Sequence, residues 1–245
     1  MAVKAGGDVL MRYYGNVDTE FKGQGFDAAS MVSRADRESE DVIVKIINAN
    51  FPGHGIFGEE GTNENMSAEY VWYIDPLDGT SNFLRNIPLF GVSIGVTKDG
   101  SPVCGVLYFP ALNLLVEASL GEGAYANNKQ ITVSERSLSQ ALYYSGGKYK
   151  SDHFNQIHSG LAATSGIIKI IDASSYELAQ IAMGDAEIYF LDNVPHDVVA
   201  GVCIVREAGG VVTNEKGEPW TLDSKKILVT TEKLHKELLS IINKS

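Results

Sequence analysis

Two carboxylates stand close together in the segment Asp75-Pro-Leu-Asp78-Gly-Thr80, which follows the short apolar run 71–74. Carboxylate oxygens are hard ligands that suit Mg²⁺, and the free backbone N–H groups at the start of a helix bind phosphate. Residues 80–85 can open such a helix, so the segment predicts a cation and a phosphate bound side by side. The alternative is an ordinary tight turn, because Asp, Pro and Gly are common turn formers.

Further acidic residues occur at two other places along the chain. Gly58-Glu59-Glu60 follows the apolar run 55–57, and Asp197 begins an apolar helical pattern. Each has a structural explanation of its own, since the first fits an exposed acidic loop and the second fits a helix N-terminus. Taken together, the three segments offer four candidate ligands for Mg²⁺: Glu59, Asp75, Asp78 and Asp197.

The chain is acidic, with a formal net charge of −11 over 245 residues. Such an excess of carboxylates repels nucleic acid and anionic membranes, so neither is expected as a partner, and most of the excess is interpreted as a solubilising surface. No apolar stretch reaches the length of a signal peptide or a membrane span, and a cytoplasmic location is expected. Cys104 and Cys203 lie in apolar segments without zinc-ligand spacing and are expected to be reduced.

Hydrophobic periodicity locates the elements that must position these residues. It predicts helices over 2–14, 33–50, 175–183 and 197–208 and from 232 onward, and a loop over 22–26. Strands are predicted over 71–74, 90–97, 103–108, 114–118, 187–191 and 227–231. The pattern indicates an antiparallel sheet followed by a mixed arrangement. We interpret it as two lobes, an N-terminal α+β lobe (1–140) with most metal ligands and a C-terminal α/β lobe (141–245) that contributes Asp197 and substrate contacts.

As an ordered set, the motifs of this chain resemble those of the inositol monophosphatase family of lithium-sensitive, Mg²⁺-dependent phosphatases. The resemblance covers almost the whole chain and rests on several separated blocks. These are Asp36, Glu59-Glu60, Asp75-Pro-Leu-Asp-Gly-Thr80, Ser81-Asn-Phe83, Ile87-Pro88, Val92-Ser-Ile-Gly95, Gly121-Glu-Gly-Ala-Tyr125, Asp197-Val-Val-Ala200 and Glu207-Ala-Gly-Gly210. The resemblance implies an α/β fold, a five-layered αβαβα sandwich of the sugar phosphatase type, a small phosphorylated metabolite as substrate, and a homodimer.

The resemblance also implies a site for two to three Mg²⁺ ions, for which Mn²⁺ can substitute. Glu59, Asp75 and the carbonyl of Leu77 would hold the first ion, and Asp75, Asp78 and Asp197 the second. The implied catalytic residues are Asp36, Glu59 and Thr80, with Asp36 and Thr80 orienting and deprotonating the attacking water. The implied substrate-binding residues are Asp78, Gly79, Thr80, Ser81, Ser175, His196 and Asp197.

The sequence departs from the family pattern at three places. His196 replaces the family's Trp before the last metal aspartate, and it is either a packing residue or a contact to the substrate or leaving group. The glutamate that binds an inositol hydroxyl is replaced at or near Phe190, and the segment 170–175 lacks the family's Arg…Gly-Ser arrangement. These departures bear on substrate specificity.

Inositol-1-monophosphatase activity is the first hypothesis, with fructose 1,6-bisphosphate, histidinol phosphate and other sugar or polyol phosphates as alternatives. A non-catalytic metal-binding protein with a regulatory or interaction role on the same fold is a hypothesis from another class. The intact carboxylate set favours catalysis. A simple Ca²⁺-binding protein is disfavoured, because EF-hand spacing is missing from the sequence.

Overall fold

The structure is a computed structural model that describes residues 1–15, 19–21, 31–145, 152–192 and 194–243. Helices and strands both occur along the described chain. The predicted loop 22–26 lies outside these residues. In the described ranges the helices are α1 (Ala2–Tyr13), α2 (Arg34–Asn50), α3 (Thr80–Leu84), α4 (Asp152–Thr164), α5 (Ser174–Ala182), α6 (Pro195–Glu207) and α7 (Glu232–Ile242). None of them is both long and apolar enough to cross a membrane.

The strands described by the structure belong to two large sheets and one small pair. The pair is β1 (Thr19–Phe21) and β2 (Met31–Ser33). The first large sheet contains β3 (Gly55–Gly58), β4 (Asn63–Glu64), β5 (Tyr70–Asp78), β6 (Gly91–Lys98), β7 (Ser101–Phe109), β8 (Leu114–Ser119), β9 (Ala124–Ala126) and β10 (Lys129–Ile131). The second contains β11 (Leu142–Tyr144), β12 (Ile167–Lys169), β13 (Ile188–Asp192), β14 (Gly210–Thr213) and β15 (Lys226–Thr231).

Strand order sets which elements meet at the site. The eight-stranded sheet runs β10-β9-β8-β7-β6-β5-β3-β4, and its pairs are antiparallel except for the parallel pair β3 and β5. The five-stranded sheet runs β12-β11-β13-β15-β14, with β11 parallel to both of its neighbours. The predicted antiparallel sheet is confirmed for β5 to β8, and it is joined by β3, which was not predicted as a strand and pairs in parallel. Its parallel pairing brings the ends of β3 and β5 to the same edge of the sheet.

The layers stack in the order αβαβα, which confirms the expected sandwich. Helices α1 and α2 cover the outer face of the eight-stranded sheet, α5 and α6 lie between the two sheets, and α4 and α7 cover the outer face of the five-stranded sheet. One apolar cluster lies under each outer helical layer and a third spans both sides of the central one, so burial on both faces of each sheet stabilises the stack.

The structure confirms all five predicted helices, and each predicted end lies within two residues of the observed one. The predicted ranges were 2–14, 33–50, 175–183, 197–208 and from 232 onward. Helix α4 was not predicted, because the buried apolar residues Ile157 and Leu161 give it only a short stripe. The short strands β9 to β12 were also not predicted. The division at residue 140 remains a prediction.

Helix α6 approaches the eight-stranded sheet closely enough that only glycine fits beneath it. A Cβ added at Gly105 would lie 2.2 Å from the carbonyl oxygen of Ala200, and one added at Gly95 would lie 2.6 Å from the nitrogen of Ala200. Such distances are well inside normal van der Waals contact. The two glycines therefore set the depth at which α6 lies, and with it the position of Asp197 in its first turn.

We expect Gly105→Ala to destabilise the fold, because the new methyl group must push the α6 backbone away from the sheet. The free energy of unfolding should fall by about 1–3 kcal/mol, the usual cost of overpacking. Ser101→Ala, at the exposed start of the same strand, should change it by less than about 0.5 kcal/mol. Urea denaturation of both variants tests this, and equal stabilities would contradict the close packing of α6.

Candidate metal centre

One extra residue in β5 brings Asp75 and Asp78 to the same face of the sheet. Asp75 pairs with Ser93 and Asp78 with Gly91, so three steps on β5 oppose two on β6. Without this bulge the two carboxylates would point to opposite faces, because side chains alternate along a strand. The predicted strand ended at residue 74, with a tight turn over 75–79 as the alternative to a metal site. The structure instead continues β5 through Asp78.

Two local contacts hold the bulge. The backbone N–H of Leu77 donates to Asp75 Oδ1 at 2.9 Å, and the hydroxyl of Ser39 on α2 donates to the carbonyl of Pro76 at 3.1 Å. Pro76 has no N–H to give to a neighbouring strand, and a bulge is one of the few places where a central strand accepts proline. The Asp-Pro-Leu-Asp sequence therefore builds a bulge instead of a tight turn.

Gly79 turns the chain from β5 into α3. Its backbone has φ 83° and ψ 35°, and a Cβ there would lie 2.7 Å from the carbonyl oxygen of Leu89. Both the left-handed conformation and the lack of space require glycine. The next residue, Thr80, donates its hydroxyl to the carbonyl of Leu77 at 3.0 Å. The predicted phosphate contacts of the Gly79 and Thr80 N–H groups remain a prediction.

Asp78 points toward the N-terminus of α5. Its Oδ1 accepts the N–H of Ser174 at 3.1 Å, and its Oδ2 accepts the N–H of Ser175 at 2.7 Å and the hydroxyl of Ser175 at 2.5 Å. Ser175 is fully buried. The structure thus places Ser175, predicted to bind substrate, behind Asp78 with no surface to offer a ligand.

Glu59 lies in the loop that follows β3, and a buried glutamate of α2 fixes that loop. Glu40 is 3% exposed, and its carboxylate accepts the N–H of Glu60 at 2.9 Å, the N–H of Thr62 at 3.1 Å and the hydroxyl of Thr62 at 2.6 Å. The N–H of Glu59 donates to the carbonyl of Ile74 at 3.1 Å, and its side chain lies next to that of Asp75. Sequence reasoning missed Glu40.

Asp197 occupies the first turn of α6, as its position in the pattern predicted. His196 Nε2 lies 3.0 Å from Asp197 Oδ1, and the His196 ring packs against Phe57 with 5.9 Å between ring centroids. Burial lowers the pKa of His196, but the hydrogen bond to Asp197 and the charges of Asp197 and Glu59 outweigh it and raise the pKa above its ordinary value. His196 therefore both packs and contacts a predicted ligand.

The carboxylates repel one another. Burial, followed by the charges of Glu59, Asp78 and Asp197, raises the pKa of Asp75 well above its ordinary value. Burial and then Asp197 raise the pKa of Asp78 to about 7, and burial chiefly raises that of Glu59. A divalent cation would relieve this repulsion, and four carboxylates with the Leu77 carbonyl are the hard oxygen donors that Mg²⁺ takes.

Within the described ranges, no three His, Cys, Asp or Glu side chains are gathered in a metal-holding arrangement. Asp197 is turned toward His196, so coordination by the whole set requires the Asp197 side chain to adjust. The donor chemistry nevertheless fits Mg²⁺ or Mn²⁺.

Other predicted site residues surround this cluster at varying depth. Asp36 lies in the first turn of α2 and is 3% exposed. Ser81 donates its hydroxyl to Asp172 Oδ2 at 2.7 Å, which links the start of α3 to the segment before α5. Phe190 is fully buried in the cluster beneath α4 and α7, so it cannot contact a ligand.

Two of the motif blocks have a structural role. The carboxylate of Glu207, at the end of α6, accepts the N–H of Gly121 at 3.0 Å and the N–H of Gly123 at 2.9 Å. The blocks Gly121-Glu-Gly and Glu207-Ala-Gly-Gly therefore meet in one contact that ties α6 to the loop between β8 and β9.

Comparison with known proteins places these features in context. The sequence profile of the inositol monophosphatase family matches residues 1–245. A Thermotoga maritima protein named fructose-1,6-bisphosphatase/inositol-1-monophosphatase is 32% identical over 238 residues, covering 97% of this chain and 91% of that protein. A Neisseria meningitidis serogroup B protein named putative Nus factor SuhB is 34% identical over 250 residues, covering 99% of this chain and 95% of that protein.

The fold is also found among solved structures. That of the extragenic suppressor protein suhB from Bartonella henselae superposes with a TM-score of 0.92 at 31% identity. The match covers 100% of this chain and 96% of that one. The similarity therefore extends over the complete five-layered sandwich.

Glu40→Gln should destabilise the protein, because the amide nitrogen of glutamine cannot accept a hydrogen bond from the loop. We expect a loss of about 1–3 kcal/mol, typical of a buried polar group left unpaired. Asp41→Asn, the exposed neighbour on α2, should cost less than about 0.5 kcal/mol. Urea denaturation measures both, and equal losses would contradict the anchoring role of Glu40.

The stability of the metal-free protein should fall as pH rises. Because the pKa of Asp78 is raised to about 7 in the folded protein, the folded state holds more protons than the unfolded chain between the ordinary aspartate pKa and that value. Stability is therefore lost through this window, and urea denaturation in a chelator should show a smaller free energy of unfolding at about pH 8 than at about pH 5.

Asp78→Asn is the control for this pH dependence, since it removes one titrating group and one repulsive charge. In Asp78→Asn the free energy of unfolding should fall less between about pH 5 and pH 8. Added Mg²⁺ should likewise make this fall smaller in the unsubstituted protein. An equal or steeper fall in Asp78→Asn would assign the pH dependence to other groups.

Proposed function

Because this chain belongs to the inositol monophosphatase family, we propose that it is a Mg²⁺-dependent phosphatase that hydrolyses a small phosphate monoester. The observation that carries the proposal is that Glu59, Asp75, Asp78 and Asp197, from three separate segments, lie close enough for their charges to interact. Burial and the neighbouring negative charges raise the pKa values of Glu59, Asp75 and Asp78, and a divalent cation would neutralise this charge.

The proposed ligand assignment is the one that the family resemblance implies. Glu59, Asp75 and the carbonyl of Leu77 would hold one ion, and Asp75 with Asp78 and Asp197 a second. A third ion would face Glu59. When bound, such ions lower the pKa of a coordinated water, screen the phosphate charge and stabilise the leaving alkoxide.

The chain's own groups would orient the reactants. Thr80 Oγ1 donates to the Leu77 carbonyl, which leaves its lone pairs to accept a hydrogen bond from the attacking water. Asp36 would take the proton from that water, and the N–H groups of Gly79 and Thr80 would hold the phosphate oxygens. We propose direct attack by water in line with the leaving oxygen, without a covalent phosphoenzyme.

Inositol monophosphate is the proposed substrate class, with fructose 1,6-bisphosphate and histidinol phosphate as alternatives. The name of the Thermotoga relative joins the first two activities in one protein. Lithium sensitivity, a homodimer and a cytoplasmic location are further proposals from the family.

A second candidate is a regulatory or interaction role. Relatives named Nus factor SuhB match nearly the whole chain at 34% identity, which favours considering it. Such a role needs the fold but has no need of the water-orienting residues Asp36 and Thr80. Mg²⁺-dependent phosphate release separates the two candidates.

Phosphate release should require Mg²⁺, and Asp75→Asn or Asp197→Asn should lower kcat/KM at least about 100-fold, since each removes a ligand worth several kcal/mol to the transition state. The assay uses inositol 1-phosphate, fructose 1,6-bisphosphate, histidinol phosphate, 3′-phosphoadenosine 5′-phosphate and NADP⁺. Millimolar Li⁺ should inhibit the preferred reaction.

Asp99→Asn is the matched control, because it makes the same change in the turn after β6, at the end of the strand remote from the site. It should retain full activity. Turnover that survives in Asp197→Asn would place the chemistry elsewhere, and no turnover of any substrate in the folded protein would favour the regulatory candidate.

A further inference from the structure

The hydroxyl of Ser175 is buried at the metal centre but faces no space in which a substrate could lie. Its side chain has no exposed surface, and it donates to Asp78 Oδ2 alongside its own backbone N–H. The adjacent N–H of Ser174 donates to Asp78 Oδ1. Three donors at the start of α5 therefore hold a single carboxylate.

The count of lone pairs shows what this arrangement leaves available. A carboxylate oxygen has about two acceptor sites. Oδ2 receives both donors of Ser175 and is saturated, whereas among the described residues Oδ1 receives only the N–H of Ser174 and keeps one site open. Of the two oxygens of Asp78, only Oδ1 can therefore accept a cation while all three hydrogen bonds persist.

We propose that Ser175 is a positioning residue that holds the Asp78 carboxylate in place and presents Oδ1 as its metal-binding atom. The inference rests on the proposed Mg²⁺ site. It assigns Ser175 to orienting the metal ligand Asp78 instead of binding the substrate. Hydrogen bonds that orient a ligating carboxylate strengthen metal binding.

The neighbouring serine shows that this role belongs to one hydroxyl. Ser174 Oγ accepts a hydrogen bond from the hydroxyl of Tyr189 at 3.0 Å, so it is engaged on the side of the five-stranded sheet. The two serines stand next to each other in the same helical turn, but only the side chain of Ser175 contacts the carboxylate. Ser174→Ala is therefore a matched control that removes the same atom and keeps the N–H bond to Asp78.

The test measures cation binding directly, by isothermal titration calorimetry with Mg²⁺ and by the electron paramagnetic resonance of Mn²⁺. Ser175→Ala should weaken the binding of one ion about tenfold, the loss expected for a hydrogen bond to a charged group. Ser174→Ala should bind as the unsubstituted protein does, and Ser175→Thr, which keeps a hydroxyl, should recover most of the loss. Where Ser175→Ala does not fold, Ser175→Cys supplies the comparison with a weaker donor.

A double-mutant cycle separates positioning from general stability. In an Asp78→Asn background, Ser175→Ala should cause no further loss of cation affinity. Unchanged affinity in Ser175→Ala with a lowered unfolding temperature would overturn the inference and leave Ser175 as a helix-capping contact only. If the unsubstituted protein binds no divalent cation, the proposed metal site fails as well, so the two failures are distinguishable.

Discussion

The site depends on one extra residue in β5. The bulge between Asp75 and Asp78 turns both carboxylates toward the layer of α5 and α6, and each helix then supplies what the pair needs from that side. Helix α5 contributes donors from its first turn, while α6 contributes Asp197. The glycines beneath α6 let that helix lie deep enough for its first residues to reach the same region. The register of β5 and the depth of α6 must therefore both be right for the carboxylates to lie in the same region.

The buried acids Asp75, Asp78 and Glu40 oppose folding, and the fold offsets this cost with neutral donors. Around Asp75, Asp78 and Glu40 the donors described above are backbone N–H groups and the hydroxyls of Ser175 and Thr62. These dipoles stabilise the charged carboxylates without cancelling the net charge of the site. A lysine or arginine in the same places would neutralise the charge that a cation should meet. The protein can thus fold around the site and still leave it strongly negative.

Much of this was readable from the sequence, and the remainder depended on contacts between distant segments. Periodicity located the main helices, and the ordered acidic motifs identified the family and the fold. The bulge could not be predicted from Asp-Pro-Leu-Asp alone, since it exists only relative to the pairing partner β6. Glu40 resembled the other charges of α2, because its burial is created by the loop at 58–62. The role of Ser175 could not be predicted, because it depends on the direction in which the Asp78 side chain points. Residue types predicted the chemistry, whereas burial and pairing decided each residue's part in it.

The site is assembled from segments that are far apart along the chain, from α2 and the loop after β3 to the first turn of α6. Contacts between such distant segments are costly to close and form late in folding. A cation bound by ligands from all of these segments can bind only when the structure is nearly complete. Its binding would therefore stabilise the transition state for folding very little. Cation binding would instead slow unfolding of the native state. The consequence is kinetic: a bound cation would govern how long a folded molecule persists, and the rate at which the chain first folds would depend on its apolar layers.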